Sequence, residues 1–170
     1  MSSMTFSIYD ASAPVFVNSL RNMHAWLDKA SDHEAALMTA SLAPDMKPLP
    51  AQFQMASDSA KGAMARLTGV EPPAMPDTEA SFADLKARCE KTIGFIEGIA
   101  PAALADSADR RVELRFPNGM GYGFTGTQFL TGFALPNFFF HVTTAYAILR
   151  ANGVELGKPD FLQHLGQPNL

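Results

Sequence analysis

Cysteine is almost missing: Cys89 is the only one among the 170 residues. That excludes an internal disulfide, and it excludes a zinc site built on cysteine pairs. Basic charge is also sparse. Lys and Arg number 13 against 17 Asp and Glu, the formal net charge is −4, and the longest basic run is Arg110-Arg111. Phosphate backbones are held by clustered Lys and Arg, so no nucleic-acid partner is expected. No apolar run approaches the ~18 residues that mark a transmembrane helix, so no membrane partner is expected either. Residues 1–10 lack a basic start followed by an apolar stretch, which argues against a secretory leader. The expected location is cytoplasmic. Internal repeats, low-complexity tracts, a Ser-His-Asp spacing, a phosphate-binding loop and a HEXXH element are all missing. What remains is a chain long enough to bury its own core, read as one domain spanning residues 1–170.

What the sequence does have is helical periodicity. In the first segment Phe16, Leu20, Met23 and Leu27 step by four, three and four, which places them on one stripe. Ser12 is its candidate cap, and Pro14 fits its first turn. The second segment spans about residues 50–67, with Phe53, Ala56, Ala60, Met64 and Leu67 on one face and Gly69 as its stop. The third carries Phe82, Leu85, Cys89, Thr92, Ile96 and Ile99, with Asp77, Thr78 or Ser81 as cap and Pro101 as its end. The fourth spans about residues 127–152 and stops at Gly153. Pro136 interrupts it, because proline cannot donate to the carbonyl of Gly132, so a kink or break is expected there. Residues 33–41 read as a short helix and the Pro-rich residues 71–77 as a loop. Two short strand-like runs flank Pro117-Asn118-Gly119, which predicts a small β-hairpin before the last helix. The fold class is therefore all-α.

Residues 136–153, PNFFFHVTTAYAILRANG, together with LAPDM at 42–46, the QFQMASDSAKGAMARLTGVEPP stretch and the closing GVELGKPDF, resemble a bacterial family of unknown function. That family belongs to the DinB/YfiT-like helical bundles. The resemblance covers nearly the whole chain. It implies an antiparallel four-helix bundle with a long crossover connection, and a homodimer. Metal-binding members of the wider superfamily use one histidine on the second helix and an H-x-x-x-H pair on the fourth. The matching pair here is Asn137 and His141, and the second helix offers Gln52, Gln54 and Asp58 instead of histidine. No tightly held metal or other cofactor is expected. A divalent ion held weakly by His141 and Asp58 stays open.

Two polar strips supply the candidate site. Asn137, His141 and Thr144 lie along the fourth helix, and Gln54, Asp58 and Lys61 along the second. If the helices are neighbours, the strips meet. His141 is a candidate general base, since its reference pKa is near ~6.5. Family topology makes Asp58 its expected partner, with Gln54 second, and Lys61 is spaced to pair with Asp58 at i, i+3. Cys89 falls on the apolar stripe of the third helix and reads as a buried, inert thiol. His24, with Asp28 one turn on, is expected to face water, His33 to sit in a connector, and His164 to lie near a mobile end. Phe138, Phe139 and Phe140 around His141 suit either core packing or a dimer seam. Three functions follow: a small-molecule-binding bundle, a metal-assisted transferase or hydrolase using His141, and a structural protein that dimerises through its helices.

Overall fold

The structure is a computed structural model and describes residues 6–170; residues 1–5 of the chain's start lie outside that range. Helix α1 (Ala13–Lys29) buries Phe16, Leu20, Met23 and Leu27, as the stripe requires, and adds Trp26. Ser12 does not cap it. Its Oγ instead donates to the carbonyl of Ile8 at 2.6 Å, tying the entering turn to itself. A 3-10 turn and the short α2 (Glu34–Leu37) lead to α3 (Leu49–Thr68), which stops at Gly69 with φ 81°. Only glycine takes that left-handed turn cheaply, and a Cβ there would also meet the Arg110 guanidinium at 2.7 Å.

Helix α4 (Phe82–Glu97) starts at Ser81, whose Oγ accepts from the Asp84 N–H at 3.1 Å. The hairpin follows as β1 (Arg111–Arg115) and β2 (Gly121–Thr125), paired antiparallel. A capping box made by Thr125 and Gln128 opens α5 (Gly126–Phe129). The chain continues through a π-helical turn at Leu130–Ala134 into α6 (Leu135–Ala151). That turn is the expected interruption. Pro136 leaves the Gly132 carbonyl without its usual donor, and the helix changes register instead of breaking. A last short helix, α7 (Lys158–Phe161), lies on α1, where Trp26 Nε1 donates to the Asp160 carbonyl at 3.1 Å and the Trp26 and Phe161 rings stack.

The cross-helix pairs give the directions. Arg21–Glu97, His24–Glu90 and Asp28–Lys86 run in opposite order along α1 and α4, so those two are antiparallel. Gln52–His141 and Ser59–Asn137 do the same for α3 and α6. Phe16–Phe138 and Trp26–Tyr146 ascend together, so α1 and α6 are parallel. It follows that α3 and α4 also run the same way. Parallel neighbours cannot be joined by a tight turn, and residues 69–81 form the long crossover that carries the chain back along α4. The core lies between the four long helices and includes Phe16, Trp26, Phe53, Phe129 and Phe138, all essentially inaccessible to solvent. Burying one such ring contributes roughly 1.5–3 kcal/mol. No helix among the described residues is long and apolar enough to cross a membrane.

Candidate functional site

Helices α3 and α6 bring His141 against Gln52, with Nδ1 2.9 Å from Oε1. The Gln52 amide is not free to turn over, because its Nε2 donates to the Lys47 carbonyl at 2.9 Å. Its oxygen therefore faces the imidazole, and Nδ1 must carry the proton. The lone pair of His141 is left on Nε2. His141 is 9% exposed, and burial pushes its pKa below the ordinary value, so the ring is neutral at pH 7. No protein group among the described residues bonds Nε2, and that atom is not sealed from solvent.

Beside it runs a groove of about 410 Å³ between α3, the hairpin and the start of α6. Met55, Phe116, Phe129 and Phe133 supply apolar wall, and Asp58, Ser59, Arg66, Arg115, Asn137 and His141 supply polar groups. The π turn places Phe133 and Ala134 on this wall. Asn137 Nδ2 donates to Ser59 Oγ at 2.6 Å, which fixes the neighbouring turn of α6.

The two expected strips meet only in part. Asp58, Asn137 and His141 share the groove; Gln54, Lys61 and Thr144 do not line it. Asp58 is not the partner of His141. Its Oδ1 accepts from Lys61 Nζ and from Arg88 Nη2, both at 2.9 Å. Gln54 Nε2 donates to Glu79 at 2.8 Å, and Thr144 Oγ1 donates to its own helix at the Phe140 carbonyl. The i, i+3 pair of Lys61 with Asp58 is present as expected.

Arg88 is a buried charge that the polar strips did not include. Its side chain is 1% exposed and bonds Asp58, Asp77 and Glu79, linking α3, α4 and the crossover. Burial opposes its charge, but the hydrogen bond it donates to Glu79 and the charges of Asp58, Glu79 and Asp77 win, and its pKa is raised. Burial likewise pushes the Glu79 carboxyl upward, yet hydrogen bonds from Arg88 and Gln54 hold it below the ordinary carboxylate range.

Residues 8–162 match the family described as domain of unknown function (DUF1993). A crystal structure of a DinB family member protein from Shewanella denitrificans superposes with a TM-score of 0.86, at 35% identity over 96% of each chain. The chain belongs to the DUF1993 family. A comparison with curated proteins finds no match.

In this DUF1993 chain the residues do not fit the three-histidine metal site of the wider DinB-like group. Among the described residues no three His, Cys, Asp or Glu side chains are grouped so that they could hold a metal ion. The Asn137 amide is engaged with Ser59 and the Asp58 carboxylate is shared between two cations. One imidazole nitrogen is too few donors for a borderline ion such as zinc. Cys89 is no substitute, since burial pushes its thiol up to about 12.

Two of the other three histidines have partners. His24 faces Glu90 across α1 and α4 at 3.0 Å and does not simply face water, and His164 Nδ1 lies 3.1 Å from Asn22 Nδ2 on α1, so that part of the chain's end is docked. His33 sits in an exposed connector as expected.

A signal for the missed residues was present. Gln52 lies three after Leu49 and four before Ala56, a stripe position of α3, and His141 lies likewise between Phe138 and Ala145. Arg88 stands between Leu85 and Thr92 in the same way. A polar residue at a stripe position must find a buried partner, and the partner occupies a stripe position of a neighbouring element.

Proposed function

We propose that this protein binds a small organic molecule in the groove between α3, α6 and the hairpin. The observation that carries the reading is the His141 imidazole on the wall of an aromatic-lined groove, with Nδ1 held by Gln52 and Nε2 left without a partner among the described residues. A volume of about 410 Å³ lies in the range of small-molecule sites, which run roughly 300–1,000 Å³. The mixture of several apolar walls with a few convergent polar atoms is what such sites use for affinity and orientation. Neutral imidazole there accepts a hydrogen bond from a ligand O–H or N–H, or takes up its proton.

The depression between α1 and α4 is slightly larger, about 460 Å³, but its charged residues answer one another: Arg21 pairs with Glu97 and His24 with Glu90. It offers no unpaired directional group comparable with Nε2.

A fragment screen by ligand-observed NMR tests the reading, followed by competition in His141→Ala. Hits that shift amides of Ser59, Phe133 and His141 and are lost in the variant support it. Hits that bind equally well to His141→Ala, or map to α1 and α4, contradict it.

A further inference from the structure

We infer that the groove selects organic anions, specifically carboxylates carried on an apolar body; the inference rests on the binding reading above. The charged residues lining the groove are Asp58, Arg66 and Arg115. The negative one is already answered twice, by Lys61 and Arg88. Of the positive ones, Arg66 has no carboxylate among the described residues and Arg115 shares one. Arg66 Nη1 donates to the Gly62 carbonyl of its own helix at 3.1 Å, and no carboxylate among the described residues lies within ion-pair distance of it. Arg115 bonds Glu113 at 2.6 Å, but Glu113 also serves Arg111 at 2.9 Å, so one carboxylate faces two guanidiniums. A chain with a net charge of −4 thus presents a positive wall at this groove.

A guanidinium fork matches a carboxylate in two parallel hydrogen bonds, which a single lysine could not do. Phe116, Phe129 and Phe133 cover the apolar body of such a ligand. His141 Nε2 then accepts from an N–H or O–H at the ligand's other end. A phosphate dianion would leave its second charge unanswered against one free guanidinium, so a monoanion fits better. Arg66 and Arg115 are both exposed, so their attraction is screened and the preference is moderate.

The test is a titration of the full chain, followed by backbone amide shifts, with phenylacetate, hexanoate and decanoate and with the primary amide of each. At low salt the acids bind about three- to tenfold tighter than their amides. Arg66→Gln, an exposed helical position, lowers acid affinity far more than amide affinity and closes the gap between them. Added salt narrows the gap in the same direction. Equal binding of acids and amides to the unaltered protein overturns the anion preference and leaves the pocket standing. A preference that survives in Arg66→Gln overturns the assignment to that residue. No shifts at groove residues with any probe overturns both the preference and the binding reading beneath it.

Discussion

The two flanks of α3 are both polar, yet they end in opposite conditions. On the flank toward α4 and the crossover, Gln54 meets Glu79, Ser57 meets Thr92 at 2.6 Å, and Asp58 meets Arg88. Nearly every polar atom there is paired; the buried exception is Arg88 Nε. On the flank toward α6, Gln52 and Ser59 fasten His141 and Asn137, and His141 lines a groove with one ring nitrogen unpaired among the described residues. Paired polar groups inside a bundle fix register and hold a loop. An unpaired one on the wall of a groove, fixed in tautomer by its neighbours, is arranged for a molecule that the chain itself does not supply.

Breaking the paired flank has the largest expected effect. Arg88→Met leaves Glu79 buried beside no cation and frees the crossover. Urea denaturation should show a loss of about 3 kcal/mol, the low end for a broken buried pair, because Asp58 and Asp77 keep contact with water. Unchanged stability would show that Arg88 does not fasten this flank. Ser57→Ala comes next: Thr92 loses one hydroxyl partner but keeps the Arg88 carbonyl, so the same measurement should lose about 1–2 kcal/mol.

On the open flank the balance reverses. His141→Ala should lower stability by about 1 kcal/mol or less, since groove water can reach the abandoned Gln52 oxygen, while ligand binding disappears. A stability loss as large as that of Arg88→Met, with binding retained, would make His141 structural and erase the contrast. The smallest expected effect is that of metal. Zinc or nickel added to untagged protein should leave the thermal midpoint where it was, and a saturable rise that His141→Ala removes would restore a metal site.

The fold was legible because its signals are dense. Four apolar stripes, Gly69 and Gly153 as stops, Ser81 as one of three possible caps, and the turn at Pro117-Asn118-Gly119 all stand where the sequence places them. The effect of Pro136 was legible too, though not that the chain would absorb it as a π turn running directly into α6. The site was half legible. His141 and Asn137 could be found, because polar residues break the apolar run of the last helix. Their partners could not be found by following polar strips. A strip between apolar faces points to the edge of a helix, and on α3 that edge faces the crossover, where Arg88 and Glu79 wait. Gln52 stood among the groups α3 offers in place of histidine, but its pairing with His141 was missed because its amide sits in an apolar row and not on the polar strip. Arg66 and Arg115 were illegible for another reason: the groove joins a helix to a hairpin almost fifty residues away, and no local pattern announces that meeting.

The central claim is that His141 is a neutral imidazole with Nδ1–H fixed by Gln52 and Nε2 open to the groove. A long-range proton–nitrogen NMR spectrum of the His141 ring, followed with pH, measures this directly. Burial depresses the folded pKa, so the ring stays neutral as pH falls past the ordinary value of 6.5, and it protonates only below that, at some cost to folding stability. The account predicts a protonated Nδ1, an unprotonated Nε2 at pH 7, and a titration midpoint below 6.5 in the unaltered protein. An Nε2–H tautomer, or an imidazolium at pH 7, would contradict it.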